Sequence, residues 1–226
     1  MKHLVMRAYS TIKKNFFYGA PGLGDRIHHV MLCHNYSVME NTPVTLHLTK
    51  YQWNRHKPDS WPEIISLFPE GKIFIEKHLD HEPKEGIHCS RYLKLFPNLP
   101  AKVQQDLNLP NNNFITVQFD STSKNRMMKQ KNRQQILAKY KNYEKIIVGG
   151  ESPNPLLKNS LAHIAFAMSK AKFHVGVDSG FLHMSQLYFN PEKIHIYTTR
   201  DPSKWSHHLR RGYNNGMKIN LKEEIL

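Results

Sequence analysis

The stretch FHVGVDSGFLH, residues 173–183, decides the fold that the sequence predicts. Its first half, FHVGV, is an apolar run typical of a buried strand, and the apolar residues that follow Gly180 favour a helix. Between the two, Asp178, Ser179 and Gly180 form a polar turn at the end of the strand. A strand that passes through such a turn into a helix is the repeating unit of a parallel α/β sheet.

The same alternation of strands and helices runs along most of the chain. Strands are predicted over residues 15–20, 44–49, 72–78, 114–120, 145–150, 173–180 and 193–199. Helices are predicted over residues 25–39, 59–68, 159–171 and 181–189, with a basic helix within 124–145. A segment with three prolines and an asparagine run, residues 95–113, separates two groups of elements. We therefore predict an α/β protein with two facing Rossmann-like parallel-sheet domains, a compact one at residues 1–108 and another at 109–226.

Composition limits the classes of protein to consider. The 226 residues are 39% hydrophobic, which is typical of a globular chain, and no run reaches the roughly 20 apolar residues of a membrane span. The basic N-terminus lacks the apolar core of a secretory signal, so a cytoplasmic location is expected. Cys33 and Cys89 are far apart and belong to no CxxC motif, so neither a disulfide framework nor a zinc site is indicated.

The charge points to an anionic partner. The formal net charge is +14, and residues 111–226 hold 18 basic and 8 acidic side chains. Eight basic residues and one acidic residue lie within 124–145. A field of this kind attracts nucleic acid, anionic lipid headgroups or a nucleotide diphosphate, although a solvated helix face has the same composition.

Polar clusters follow the predicted strands, where parallel sheets bind their ligands. In DSGFLH, Gly180 allows a tight turn into the next helix, Ser179 offers a hydroxyl, and His183 lies one turn further on. The start of that helix suits a phosphate, and the alternative is that Asp178 and Ser179 only cap it. In DSTSK, residues 120–124, hydroxyl groups and Lys124 offer a second set of diphosphate contacts.

The glycines of FFYGAPGLGDRIHHV, residues 16–30, do not match a known phosphate loop. The dinucleotide fingerprint needs G-x-G-x-x-G, whereas Gly19, Gly22 and Gly24 are followed at once by Asp25, and no P-loop lysine follows. A carboxylate repels phosphate, so Gly22 and Gly24 are interpreted as a loop for a sharp turn and close backbone approach. Asp25 is either a helix N-cap or a general base.

Other chemistries have weaker support. The sequence has no HExxH motif, and the adjacent pairs His28 with His29 and His207 with His208 do not share a helix face. No G-x-S-x-G motif offers a serine nucleophile.

Two of these motifs together resemble a known family. The run from 159 to 205, with DSGFLH at its centre, resembles the C-terminal signature D-[ST]-G-x-x-H of the heptosyltransferase-like glycosyltransferases of family 9. GLGDRIHHV resembles the G-x-G-D loop and helix near the N-terminus of that family. The two motifs occur in the family's order at opposite ends of the chain.

The resemblance implies a GT-B fold and an inverting transfer of a sugar from a nucleotide-diphosphate donor, with no required metal and no cofactor. Asp25 matches the general base that takes the proton of the acceptor hydroxyl. The matching positions for donor binding are Thr122, Lys124, Glu151, Asp178, Ser179, Gly180 and His183, with Glu151 as a ribose contact. The partners expected are a nucleotide sugar and an acceptor, favoured to be a glycan or lipid-linked glycan, with peripheral contact to anionic membrane as one variant.

The basic segment leaves an alternative from a different class. A nucleic-acid-binding protein on a transferase-like fold has the same charge distribution, and a glycosyltransferase whose acceptor is DNA combines the two. Salt-dependent binding to duplex DNA distinguishes these from the sugar-transfer hypothesis.

Overall fold

A computed structural model describes residues 22–49, 60–68, 70, 72–78, 106–111, 113–121, 124–198 and 218–221. The chain divides into two compact units, Met1–Pro97 and Asn98–Leu226. The sequence had predicted domains that meet after residue 108. The predicted first strand, residues 15–20, lies outside the described residues.

Within its described residues, the first unit has two parallel strands and two helices. Helix α1 (Leu23–Met39) leads to β1 (Val44–Thr49), and α2 (Ser60–Ser66) leads to β2 (Ile73–His78). The strands pair with Val44 opposite Ile73. Helix α1 buries Ile27, Val30 and Met31, which recur at the three- and four-residue spacing of one helix face.

Helix α1 starts earlier than its sequence indicates. The N–H of Arg26 donates to the carbonyl of Gly22 over 3.1 Å, so the first turn begins at Leu23. Gly24, predicted to lie in the loop, is a buried residue of the helix, whereas Gly22 precedes the helix and Gly19 lies outside the described residues. Asp25 therefore lies inside the first turn and is not the N-cap.

A buried arginine connects the two helices of this unit. Arg26 is 3% exposed, and its guanidinium lies 5.3 Å from the centre of the Trp61 ring and donates to the Ser60 hydroxyl. Burial lowers the pKa of Arg26 because water no longer solvates the cation. Arg26 thus links α1 to the start of α2.

The second unit is a parallel sheet with helices between its strands. The strands are β3 (Phe114–Gln118), β4 (Glu144–Ile147), β5 (His174–Val177), β6 (Ile194–Thr198) and β7 (Lys218–Leu221), in the order β4-β3-β5-β6-β7. The helices are α3 (Gln130–Lys139), α4 (Pro155–Asn159), α5 (Leu161–Lys170) and α6 (Gly180–Ser185), with short 3-10 turns at Lys124–Arg126 and Pro191–Lys193. Strand β7 was not predicted.

The burial of the strands agrees with a parallel sheet. Every residue of β3, β5 and β6 is buried, as expected for strands covered by helices on both faces. Ile115, Val117, Val175 and Val177 form one apolar layer, and Ile136 of α3 belongs to the same cluster. The predicted α/β class with parallel sheets is confirmed.

The basic segment differs from its prediction. It does not form one helix, because the N–H of Met128 donates to the carbonyl of Phe119 over 2.9 Å and holds the chain beside the end of β3. Helix α3 therefore begins only at Gln130 and contains three basic residues, Lys131, Arg133 and Lys139. The rest of the positive charge lies in the flanking turns and in β4.

None of the helices in the part of the chain that the structure describes combines the length and apolar character needed to cross a bilayer.

Candidate functional site

A chain of hydrogen bonds links the loops that follow β3, β4 and β5. The N–H of Gly150 donates to Oδ2 of Asp120 over 2.8 Å, and Nε2 of Gln118 donates to Oδ1 of the same carboxylate over 3.3 Å. The hydroxyl of Ser179 donates to Oε1 of Gln118 over 3.0 Å. We call Gly150, Asp120, Gln118 and Ser179 the strand-end chain. It holds three loops together at the carboxyl edge of the sheet.

Gln118 is the central member of this chain. Its side chain is 1% exposed, and Oε1 also lies 3.4 Å from the N–H of Val177. The donors and acceptors fix the orientation of the amide, because the carboxylate of Asp120 only accepts and must face the NH₂ group. Gln118 thereby connects the end of β3 to the end of β5.

The glycines after β4 fit closely around Asp120. Gly149 has a φ of 93°, which L-residues with a side chain rarely adopt. A Cβ added at Gly149 would lie 2.7 Å from Oδ1 of Asp120 and 3.0 Å from the ring of Phe181, and one added at Gly150 would lie 2.7 Å from Oδ2. The two glycines therefore allow the carboxylate to reach the backbone.

The predicted DSG turn lies at the end of β5, next to the same chain. Ser179 is the N-cap of α6, and its hydroxyl oxygen accepts from the N–H of Phe181 over 3.2 Å. The capping role considered for Ser179 is thus present. Asp178 is 4% exposed, while Gly180 and His183 in α6 are half-buried.

An arginine from the 3-10 turn approaches this segment. Nη1 of Arg126 lies 3.7 Å from the carboxylate of Asp178 and donates to its backbone carbonyl over 3.3 Å. The positive charge offsets the buried carboxylate, which would otherwise repel an anionic ligand. Arg126 was not among the predicted site residues.

Glu151 lies in the loop after β4 and forms an ion pair with Arg133 of α3. Nη2 of Arg133 donates to Oε1 of Glu151 over 2.7 Å, and Nη1 donates to the other oxygen. The two side chains are 19% and 28% exposed. This bidentate geometry is the strongest form of an arginine–carboxylate pair.

The remaining predicted residues are placed less completely. Lys124 begins the 3-10 turn after β3 and is exposed. Thr122 lies outside the described residues. For Asp25 the structure describes the backbone within α1 and not the side chain.

A buried, neutral histidine begins strand β5. Nδ1 of His174 is 3.0 Å from the hydroxyl of Thr116, and its Nε2 has no hydrogen-bond partner among the described residues. Burial, and secondarily repulsion from His195, lowers the pKa of His174 to about 3. His174 is therefore uncharged at neutral pH.

The site combines cations, hydroxyls and fixed backbone at the edge where such sheets bind ligands. Groups of three or more His, Cys, Asp or Glu side chains suited to a metal are absent from the described residues. The arrangement is suited to recognition of a phosphorylated ligand by Arg and Lys.

Sequence reasoning missed Gln118, Arg126 and Arg133. The available signal for Gln118 was a lone amide inside the apolar run FITVQF, which is unusual for a strand buried on both faces. The two arginines were noticed only as members of the basic segment.

No protein-family model matches the chain, and no curated protein matches it. Solved structures do match. The match to the E. coli ADP-heptose LPS heptosyltransferase II covers 97% of this chain and 90% of the heptosyltransferase chain, with a TM-score of 0.56 and 10% identity. The match to the E. coli heptosyltransferase WaaC, solved with ADP, covers 97% of this chain and 92% of the WaaC chain, with a TM-score of 0.50 and 12% identity.

This chain has a heptosyltransferase-like fold. The resemblance carried by GLGDRIHHV and DSGFLH is confirmed at the level of the fold, which is the GT-B type. The iron-containing dodecameric glycosyltransferase TibC of enterotoxigenic E. coli also matches, at 11% identity and a TM-score of 0.47, and this chain spans 56% of its length.

Proposed function

We propose that the protein is a glycosyltransferase that moves a sugar from a nucleotide-diphosphate donor to an acceptor hydroxyl. The observation that carries this proposal is the heptosyltransferase-like fold together with the polar cluster at the carboxyl edge of the second sheet. A fold hosts many functions, so the site residues and not the fold alone must support the activity.

The donor binds to the second unit in this proposal. Lys124 and Thr122 contact the diphosphate, and Asp178, Ser179, Gly180 and His183 line the same site, as the matched motif implies. Glu151 belongs to the nucleoside end. Positive groups beside the departing diphosphate stabilise the charge that develops as the sugar leaves.

The transfer is inverting and proceeds without a metal ion. The acceptor oxygen attacks the anomeric carbon from the face opposite the diphosphate, and the bond between that carbon and the diphosphate oxygen breaks. Asp25 takes the proton of the acceptor hydroxyl, and the nucleoside diphosphate leaves with the electron pair. The acceptor class proposed is a glycan or lipid-linked glycan.

The charge pattern gives the nucleic-acid alternative less support than the sequence alone did. Two arginines of the basic segment, Arg126 and Arg133, lie beside Asp178 and Glu151, which offset part of their charge. We therefore do not propose a nucleic-acid partner.

The test combines binding and transfer. Nucleoside diphosphates and their sugars are screened by thermal unfolding, where a donor at 100 times its dissociation constant adds about 2.7 kcal/mol to the unfolding free energy. The stabilising donor is then used in a transfer assay with the wild type and Asp25→Asn.

We expect Asp25→Asn to lose transfer by about 100-fold or more while its donor affinity is unchanged. If weaker donor binding accounts for the whole loss of transfer in Asp25→Asn, Asp25 is not the base. The absence of stabilisation by any nucleotide would refute the proposed function.

A further inference from the structure

The planar guanidinium of Arg133 is held in place by hydrogen bonds from its three nitrogens. Its Nε donates to the carbonyl of Met128 over 2.9 Å, and its two terminal nitrogens donate to the two oxygens of Glu151. Because these bonds lie on different edges of the guanidinium, the group cannot rotate without breaking at least one of them. The orientation of its plane is therefore set before any ligand arrives.

An aromatic ring lies beside this cation. The guanidinium carbon of Arg133 is 5.6 Å from the centre of the Phe119 ring, and Phe119 is 5% exposed. The Arg133 side chain keeps 19% of its surface accessible. Guanidinium planes that rest on protein on one side and reach solvent on another are surfaces on which nucleobases stack.

The position of Arg133 in the fold agrees with a ligand contact. Phe119 directly follows β3 and Glu151 lies in the loop after β4, so the fixed guanidinium lies at the carboxyl ends of two neighbouring strands. This is the edge at which parallel sheets bind nucleotides.

We propose that the base of the bound nucleotide stacks on the guanidinium of Arg133, and that Glu151 acts as a positioning residue that holds this guanidinium in place. The inference rests on the proposed function, because it names the contact that recognises the donor's base. Both oxygens of Glu151 accept hydrogen bonds from Arg133, and in this inference the carboxylate serves the base through Arg133.

The experiment is calorimetric titration of the full chain with ADP, GDP, UDP and inorganic pyrophosphate. The variants are Arg133→Lys, which keeps the charge and removes the plane, Glu151→Gln, and the double variant. Lys131→Gln is the matched control, because it removes an exposed cation of the same helix.

For the nucleoside diphosphate that binds the wild type most tightly, we expect Arg133→Lys to weaken binding roughly tenfold, the upper range of a stacked cation. Glu151→Gln weakens it in the same direction, and the double variant is no weaker than Arg133→Lys. The affinity for pyrophosphate is unchanged in these three variants. Lys131→Gln changes the affinities for the nucleoside diphosphate and for pyrophosphate by the same factor.

A loss that is equal for nucleotide and pyrophosphate, or no loss for either, overturns the stacking role while leaving the proposed function in place. Additive losses in the double variant overturn the positioning role of Glu151. A wild type that binds none of the nucleoside diphosphates refutes both the inference and the proposed function.

Discussion

The strand ends of the second unit are joined in two different ways. The strand-end chain connects three loops through hydrogen bonds of a buried amide and hydroxyl, and Gln118 at its centre is 1% exposed. The Arg133–Glu151 pair connects α3 to one loop through charges that remain 19% and 28% exposed. A buried polar group costs stability when its partner is lost, whereas an ion pair that is partly open to water contributes less. The first connection therefore stabilises the fold, and the second is free to serve a ligand.

The largest effect is expected from Gly149→Ala. The substitution adds a Cβ 2.7 Å from Oδ1 of Asp120 at a residue with a φ of 93°, so it combines a close contact with backbone strain. We expect a loss of about 3 kcal/mol in the free energy of unfolding, measured by urea denaturation.

Gly150→Ala is the control for this experiment, because its Cβ makes the same 2.7 Å contact with the other oxygen of Asp120 without a positive φ. It should cost about 1 kcal/mol less than Gly149→Ala. Equal losses for the two variants would mean that the backbone conformation of Gly149 carries no cost.

Gln118→Leu tests the chain at its centre. The change keeps the volume of the side chain while it removes the acceptor of the Ser179 hydroxyl and one donor to Asp120. We expect a loss of about 2 kcal/mol in unfolding free energy. Gln134→Leu, on the exposed face of α3, should change the same quantity by less than about 0.5 kcal/mol. A similar small change for Gln118→Leu would remove the distinction between the two connections.

The smallest effect on stability is expected from Glu151→Gln. Its ion pair is partly open to solvent, so its loss should cost under about 1 kcal/mol in unfolding free energy. The same variant is expected to lose nucleotide affinity, and the contrast between the two measurements separates a ligand-positioning pair from a structural one. A stability loss as large as that of Gln118→Leu would contradict this difference.

Local patterns predicted the strands better than they predicted the connections between them. Alternation in VTLHLT matches β1 at both ends, and the predicted strand FITVQFD starts with β3 and extends two residues past its end, because these signals depend only on neighbouring residues. The basic segment was predicted as one helix because composition does not reveal that Met128 bonds to Phe119. That bond depends on the folded sheet.

The same limit applies to the site. The turn formed by Asp178, Ser179 and Gly180 was predicted because turn residues follow a recognisable strand. The pairing of Arg133 with Glu151 joins helix α3 to the loop after β4, and β4 lies between the two residues in the sequence. The spacing of residues in a single sequence does not specify such a partner. The side chain of Asp25 and all of Thr122 lie outside the described residues, so their roles stay predictions.

Strand β3 pairs with β4 on one side and with β5 on the other, and it contains Gln118. Its amides are bonded within the sheet, so their hydrogen exchange with deuterated water should be among the slowest in the second unit. One of the loops that would contact a ligand begins at the end of this protected strand, and two others follow its neighbours β4 and β5. Local opening of those loops can therefore admit and release a ligand without disturbing the strand at the centre of the site.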